Sequence, residues 1–150
     1  MVNIAKPKCT RMIYLTRRER FSAAHRMFRP EWNDDENQKV FGKCSNPNWH
    51  GHNYVLFVTV RGDHSSNNGF VININILKQI IKERIIDKVD HKNLNLDVDF
   101  MKGLVTTTEN LAIAIWNELN IPLKKEGAEL YCIKIEETEN NSIEYYGEKN

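Results

Sequence analysis

Two segments in the first half of the chain alternate apolar and polar side chains, as strands do. Between about residues 14 and 27, Phe21, Ala23 and His25 share one face, because successive strand side chains point to opposite sides. A second alternating segment extends from about His50 to Arg61. The side chains on its apolar face are His50, His52, Tyr54, Leu56, Val58 and Val60. Two strands are therefore predicted, each with histidine on its more apolar side.

Helical spacing replaces this alternation in the middle of the chain. The polar stretch from Pro30 to Pro47 contains Asp34-Asp35-Glu36-Asn37, which is typical of the start of a short helix. After a turn signal at Asn67-Asn68-Gly69, apolar residues recur every three or four positions up to about Val89. These residues are Ile74, Leu77, Ile81 and Ile85. The spacing predicts an amphipathic helix.

The last third of the chain predicts a second helix followed by two strands. Thr106-Thr107-Thr108-Glu109 has the pattern of a capping box, in which a threonine and a glutamate satisfy backbone groups at a helix start. The predicted buried face of this helix comprises Leu111, Ala112, Ile115, Trp116 and Leu119. Closing strands are predicted at about Glu129–Thr138 and Ser142–Gly147, with Asn140-Asn141 as the hairpin turn.

The predicted order is strand, strand, helix, helix, strand, strand, which indicates an α+β fold. Strands grouped around helices favour a four-stranded antiparallel sheet with the two helices covering one face. Such a sheet has two open edges, which favours oligomerisation. A chain of 150 residues has the length of one domain, predicted here at residues 14–150 after a basic, flexible lead-in at residues 1–13.

Composition and charge exclude several functional classes. The chain has 21 basic and 20 acidic residues and a formal net charge of +1, so no nucleic-acid-binding surface is expected. No apolar run approaches the ~18 residues of a membrane span, so no membrane association is expected either. Cys9, Cys44 and Cys132 lack the paired spacing of a disulfide framework. Unpaired cysteines predict a cytoplasmic protein.

Three histidines are candidate metal ligands. His50 and His52 flank Gly51 and project from the same strand face, while His25 on a neighbouring strand is placed to supply a third ligand. Three imidazoles with an open fourth position are typical of catalytic zinc. The alternative stays open from spacing alone, since a histidine on an apolar strand face is commonly a core residue with satisfied hydrogen bonds.

Three further positions carry candidate chemistry. Cys44, six residues before His50, fits a fourth metal ligand, a thiol activated by a nearby cation, or a loop cysteine without a role. Asp90 and His91 fit an acid–base pair, or a surface pair at a helix end. Glu137 shares a strand face with isoleucines, where a carboxylate needs a partner such as a guanidine-like N–H edge.

Five ordered motifs contain most of these residues between about Arg18 and Gly147. They are Phe21-Ser22-Ala23-Ala24-His25-Arg26; Phe41-Gly42-Lys43-Cys44-Ser45-Asn46-Pro47-Asn48-Trp49-His50-Gly51-His52-Asn53-Tyr54; Val89-Asp90-His91-Lys92-Asn93-Leu94; Thr107-Thr108-Glu109-Asn110; and Glu137-Thr138-Glu139-Asn140-Asn141. In their residues and in their order along the chain, these motifs closely resemble those of the 6-pyruvoyl-tetrahydropterin synthases, which have the tunnelling fold.

The resemblance implies a fold, an assembly and a reaction. An antiparallel sheet with two helices would assemble into trimeric barrels, and two trimers would stack into a homohexamer with active sites at subunit interfaces. The chain would be a carbon–oxygen lyase acting on phosphates. It would convert 7,8-dihydroneopterin triphosphate to 6-pyruvoyl-tetrahydropterin and triphosphate, in tetrahydrobiopterin biosynthesis.

The resemblance also implies a role for each candidate residue. Zn²⁺ would bind His25, His50 and His52, with Cys44 as the proton-abstracting residue. Asp90 and His91 would form a relay that reaches the site from a neighbouring subunit. The pterin would be anchored by Glu137, in a pocket beside Thr107, Thr108 and Glu109.

Two features leave questions for the structure. Trp49 stands where related enzymes carry glycine, so we expect the loop between Cys44 and His50 to have a different shape. Arg26 and Lys43 are candidates for binding the triphosphate by proximity only.

Three rival functions are weighed against this interpretation. A 6-carboxy-tetrahydropterin synthase would have a shorter spacing between the cysteine and the His-Gly-His motif. A zinc hydrolase would leave Cys44, Asp90-His91 and Glu137 without a role. A non-catalytic relative with the same fold would be expected to have lost Cys44 or the ligands, and this chain retains them.

Overall fold

Two long paired strands form the centre of the computed structural model, which describes residues 11–63 and 69–148. Strand β1 (Met12–His25) and strand β2 (His50–Asp63) are antiparallel along their whole length. Met12 lies opposite Asp63 at one end of the pair, and His25 lies opposite His50 at the other. The two strands predicted from alternation are confirmed, and each extends by two residues beyond the predicted bounds at one end.

The sheet contains five strands in the order β3-β1-β2-β4-β5. Strands β4 (Glu129–Thr138) and β5 (Asn141–Tyr145) form an antiparallel hairpin. Strand β3 (Lys92–Asn93) pairs in parallel with β1. The prediction of a four-stranded, purely antiparallel sheet is therefore wrong, because a two-residue polar strand is too short to show any alternation.

Three helical regions cover the sheet or its connections. Helix α1 (Asp34–Phe41) continues into a 3₁₀ turn at Gly42–Ser45. Helix α2 (Ile74–Ile81) passes through a π-helical turn at Lys82–Ile86 into a last turn, α3 (Asp87–Val89). A 3₁₀ turn at Asp99–Met101 precedes helix α4 (Thr108–Lys125). The two predicted long helices are present, and the short helix predicted at Asp34 forms α1.

The start of α4 differs from the predicted capping box. Thr107 is the capping residue, and its hydroxyl accepts a hydrogen bond from the backbone N–H of Asn110 at 3.2 Å. Thr106 does not cap the helix, because its hydroxyl donates to the carbonyl of Arg26 at 3.0 Å. A full capping box instead opens α1, between Asn33 and Glu36.

The core lies between the helices and one face of the sheet. Fully buried side chains of β2 meet those of α2 and α4 there, and burying each one stabilises the fold by about 1.5–3 kcal/mol. They include Leu56, Val58, Leu77, Ile81, Leu111, Ile115 and Leu119. Towards the His25–His50 end of the sheet, the same face changes from aliphatic residues to histidines.

Some predictions fall partly outside the described residues. The lead-in predicted at residues 1–13 lies outside them up to residue 10, while Met12 and Ile13 belong to β1. Asn67 and Asn68 of the predicted turn also lie outside them. Among the residues that are described, no helix has both the length and the apolar character that crossing a bilayer requires.

Candidate metal centre

Three histidine side chains converge at the end of the β1–β2 pair. His25 and His50 are direct cross-strand partners, and His52 lies two residues further along β2, on the same face. Their ring centroids are 4.4 Å apart for His25 and His50, 5.2 Å for His25 and His52, and 5.1 Å for His50 and His52. One ring nitrogen from each residue lies within 4.8 Å of the others. The predicted grouping of the three histidines is confirmed.

Gly51 allows the two strands to approach at this point. A Cβ atom at this position would lie 2.9 Å from the carbonyl oxygen of Ala23 on β1, closer than real Cβ atoms come to backbone. A larger residue between His50 and His52 would therefore push the strands apart and separate the ligands from His25. The glycine explains why the His-Gly-His sequence suits a site shared by two strands.

Buried ring nitrogens of His25 and His50 lack hydrogen-bond partners in the described structure. His25 Nδ1 is 2.8 Å from the carbonyl oxygen of Thr106, while the buried His25 Nε2 has no hydrogen bond in the described structure. Both ring nitrogens of His50 are also buried and unpaired there. Since buried polar atoms are normally hydrogen-bonded, these orphaned nitrogens fit a site that a metal ion completes.

The electrostatic environment favours the neutral form of two of these imidazoles. Burial lowers the pKa of His25 below its ordinary value of 6.5, although the hydrogen bond to Thr106 opposes the effect. Burial, and then the proximity of His52, lowers the pKa of His50. Neutral imidazole is the form that binds metal ions. The donor set of three nitrogens suits zinc in a three-histidine site with an open fourth position.

Glu137 lies beside the three histidines. Its Oε1 is 3.8 Å from His25 Nε2 and 3.9 Å from His52 Nε2, and it accepts a hydrogen bond from the hydroxyl of Thr108 at 2.9 Å. The register of β4 against β5 shifts between Glu136 and Thr138, so Glu137 occupies the bulge. Such bulges re-aim a side chain. Within the chain, this carboxylate is paired with the hydroxyl of Thr108 at the start of α4.

Cys44 lies on the 3₁₀ turn that follows α1. Its carbonyl accepts a hydrogen bond from Met27 N at 2.8 Å, and its thiol is free and partly exposed. Burial, followed by the proximity of Glu137 and then of Cys44, raises the pKa of the Tyr54 phenol. The Tyr54 ring lies 5.6 Å from that of His52. Cys44 is thus within electrostatic reach of a side chain that packs on the histidine cluster, and it is not a member of the cluster itself.

Trp49, in the loop before His50, has a backbone conformation that normally favours glycine. Trp49 has φ of 66°, in the left-handed region that favours glycine. The loop is held by hydrogen bonds from Trp49 N to the Asn46 carbonyl at 3.1 Å and from Asn48 N to the Asn46 side chain at 2.8 Å. A conformation that glycine adopts freely is therefore imposed here on tryptophan.

Asp90 and His91 lie at the edge of the sheet, directly after α3. Asp90 Oδ1 accepts from the backbone N–H of Ser22 at 2.9 Å, which lowers the pKa of Asp90, and Asp90 Oδ2 is 3.0 Å from His91 Nδ1. The His91 side chain is 82% exposed. Among the described residues, no hydrogen bond or ion pair joins either residue to the histidine cluster. Asp90 nevertheless lines the same cleft of about 780 Å³ as His52 and Glu137.

The remaining candidates separate into engaged and exposed residues. Arg26 Nε donates to the carbonyl of Ser45 at 2.6 Å, so Arg26 is committed to holding the loop that carries Cys44. Lys43 and Glu109 are exposed.

Two groups that contact the histidine cluster were not predicted from the sequence, the Thr106 carbonyl and the Tyr54 ring. A backbone acceptor leaves no signal in a sequence, whereas Tyr54 could have been identified from its position on the His50–His52 face.

Comparison with known proteins explains this arrangement. A family model described as 6-pyruvoyl tetrahydropterin synthase matches residues 14–148. The chain belongs to this family. It is 50% identical to the 6-pyruvoyl tetrahydrobiopterin synthase of Dictyostelium discoideum over 139 residues, which covers 93% of this chain and 99% of the relative. The solved structure of the Caenorhabditis elegans 6-pyruvoyl tetrahydropterin synthase superposes with a TM-score of 0.86 at 40% identity, covering 93% of this chain and 98% of that one.

Membership of the 6-pyruvoyl tetrahydropterin synthase family confirms two expectations. The chain is an enzyme, a carbon–oxygen lyase acting on phosphates, and its role lies in tetrahydrobiopterin biosynthesis. The rival family is more distant: the 6-carboxy-5,6,7,8-tetrahydropterin synthase of Bacillus subtilis is 30% identical over 97 residues, covering 63% of this chain and 62% of the relative.

Proposed function

We propose that this enzyme uses zinc to convert 7,8-dihydroneopterin triphosphate to 6-pyruvoyl-tetrahydropterin with release of triphosphate. One observation supports the proposal: one ring nitrogen from each of three histidines lies within 4.8 Å of the others beside a carboxylate, and the buried nitrogens of His25 and His50 there lack hydrogen-bond partners among the described residues. His25, His50 and His52 would hold the ion. A bound zinc ion would supply Lewis-acid chemistry to the oxygens of the substrate side chain.

Glu137 would bind the pterin. One of its oxygens already accepts from Thr108, and no described residue donates to the other, Oε2. A carboxylate held in this way is suited to accept two parallel hydrogen bonds from the guanidine-like edge of a pterin. Thr107, Thr108 and Glu109 would border this pocket, since they form the start of α4, from which Thr108 reaches Glu137.

Cys44 would abstract the proton from the substrate side chain. Its thiol is free, and its 3₁₀ turn is fixed by hydrogen bonds to Met27 and Arg26 at the end of β1. A thiolate is a competent base when a cation lies nearby. Among the described residues Cys44 is not grouped with the three histidines as a metal ligand, which favours a role as a base over a fourth ligand.

Asp90 and His91 would return a proton from a neighbouring subunit. The exposed His91 ring is held by Asp90, which is in turn fixed by the backbone of Ser22, so the pair is ordered and points away from its own chain's core. On the outer side of β1, pairing with β3 involves only Ala23 and Ala24 among the described residues. An open edge of this length supports assembly through the sheet, and we propose a homohexamer built from two trimers.

Two broader expectations remain proposals. We propose that residues 14–150 form a single domain. We also propose a cytoplasmic location, which the free thiols of Cys44 and Cys132 support because free thiols persist in reducing compartments.

The reaction is tested by anaerobic incubation of zinc-loaded protein with dihydroneopterin triphosphate. We expect stoichiometric triphosphate and a 6-pyruvoyl-tetrahydropterin, identified by mass spectrometry. Release of phosphate without a tetrahydropterin would overturn the proposal in favour of a hydrolase, and a 6-carboxy product would assign the enzyme to the rival family.

A further inference from the structure

Just after β1 ends, the side chain of Asn95 makes the hydrogen bonds that a neighbouring strand would otherwise make. Backbone hydrogen bonds join His91 N to the Ser22 carbonyl at 2.7 Å and Leu94 N to the Ala24 carbonyl at 2.8 Å. At Arg26 the neighbouring backbone has turned away, and the carboxamide of Asn95 takes its place. Arg26 N donates to Asn95 Oδ1 at 3.0 Å, and Asn95 Nδ2 donates to the Arg26 carbonyl at 2.9 Å.

This carboxamide belongs to a closed network that ends on a histidine of the metal centre. The Thr106 hydroxyl lies 3.0 Å from the Arg26 carbonyl and 3.2 Å from Asn95 Oδ1. Thr106 itself is 1% exposed, and its carbonyl is 2.8 Å from His25 Nδ1. Asn95 therefore fixes both neighbours of the His25 ring: the residue that follows His25 and the residue that accepts from it.

We propose that Asn95 is a positioning residue for His25, acting through Arg26 and Thr106. With the Thr106 carbonyl held in place, the His25 ring carries its proton on Nδ1 and leaves the Nε2 lone pair facing His50 and His52. Outer partners of this kind set the tautomer and the orientation of a ligating histidine. The inference rests on the metal site of the proposed function, although its first readout needs no metal.

The chain offers a matched control in Asn37. Its carboxamide makes the same two bonds to a single residue: Oδ1 accepts from Arg29 N at 2.8 Å, and Nδ2 donates to the Arg29 carbonyl at 3.1 Å. Asn37 is 2% exposed and makes no bond to the Thr106–His25 network among the described residues. Asn37 Nδ2 also lies 3.2 Å from the Trp32 carbonyl and 3.1 Å from the Asn33 carbonyl. Asn37→Ala thus removes at least as many side-chain hydrogen bonds without touching the support of His25.

The test compares Asn95→Ala with Asn37→Ala in the full chain. In the metal-free proteins, ¹H–¹⁵N spectra of the imidazoles report the tautomer of His25. In the second measurement, zinc affinity is obtained by competition with a chromophoric chelator. We expect both variants to unfold at lower urea concentration, but only Asn95→Ala to show the Nε2–H tautomer and to bind zinc about tenfold to a hundredfold more weakly.

Three results would overturn the proposal. They are an unchanged affinity in Asn95→Ala, an equal loss in both variants, and a weakened affinity with the tautomer unchanged. If Asn95→Ala fails to fold, Asn95→Asp is judged by the same readouts, since it keeps an acceptor for Arg26 N and replaces the donor to the Arg26 carbonyl with a carboxylate oxygen. If the unmodified protein binds no zinc, the proposed function fails, while the tautomer comparison still decides the role of Asn95.

Discussion

The histidine cluster and the Asp90–His91 pair are built in opposite ways. The His25 side chain is 1% exposed, and its Nε2 has no hydrogen-bond partner in the described structure, whereas the His91 side chain is 82% exposed and its Nδ1 is 3.0 Å from a carboxylate oxygen of Asp90. One region is buried and chemically incomplete, and the other is exposed and internally paired. The cluster brings together three nitrogens that could hold a metal ion, while the pair lies at the edge of the sheet, where Asp90 lines the cleft that His52 and Glu137 also line.

This contrast indicates which part of the proposed active site a single chain can assemble. Cross-strand pairing brings the three histidines together without any help from another subunit. Asp90 and His91 are held by the backbone of Ser22 at the edge of the sheet, and in the proposed function they serve the site of a neighbouring subunit. The predictions below test this division of the site.

The largest effect is expected from His25→Ala. Removing one of three ligands should abolish stoichiometric zinc binding, a greater loss than the roughly 10–100-fold cost of removing an outer partner. Metal content is measured by atomic emission after dialysis. His91→Ala is the matched control and should retain about one zinc ion per chain; a full complement of zinc in His25→Ala would disprove the metal centre.

Cys44→Ala should remove turnover and leave the metal in place. Loss of a general base is expected to lower kcat by roughly 10²–10⁴-fold, with zinc content unchanged. Cys132→Ala, which alters a buried thiol on β4, serves as the control and should keep near-normal kcat. Loss of zinc from Cys44→Ala would instead make Cys44 a ligand.

The metal-free protein should lose stability as the pH falls below about 6.5. Burial lowers the folded-state pKa of His25 and His50 below the unfolded value of 6.5, so the unfolded chain binds more protons in this range. The free energy of unfolding should therefore be at its full value above 6.5 and decline below it, by at most about 1.4 kcal/mol per pH unit for each group. Urea titrations between pH 5 and 8, on the order of one unit apart, measure the slope.

A double variant checks the assignment of that slope. In His25→Ala/His50→Ala, the free energy of unfolding should depend much less on pH over the same pH range. An unchanged slope would place its origin outside the cluster.

The smallest effect concerns Trp49. Glycine adopts φ of 66° without cost, whereas alanine does not, so Trp49→Gly should be more stable than Trp49→Ala by about 1 kcal/mol. Both variants lose the indole ring, so their difference isolates the backbone strain. Equal midpoints of urea unfolding would show that the loop relaxes and that the strain is not retained.

The sequence was sufficient to predict the elements with a regular hydrophobic period and the grouping of the three histidines. Alternation along β1 and β2 placed His25, His50 and His52 on one face, and their convergence follows from the strand register. Helical spacing located α2 and α4. These elements are long enough for hydrophobic periodicity to dominate the pattern.

Short and tertiary features were not accessible in this way. The two-residue strand β3 has no period to detect, and the start of α4 was misplaced because Thr106 bonds to Arg26 instead of capping the helix. The carbonyl that orients His25 comes from a residue 81 positions away. Such contacts depend on how the chain folds back on itself, which local patterns do not encode.

Mixed assemblies test the division of the site most directly. His52→Ala and His91→Ala should each be inactive alone, whereas co-expressing them should restore about one quarter of the normal activity. Each site would take His52 from one subunit and His91 from its neighbour, and random mixing supplies both intact residues to about one site in four. Mixing His52→Ala with Cys44→Ala should restore nothing, since both changes affect the same half. Recovery only in the first mixture is the predicted result, and no recovery there would contradict an active site shared between subunits.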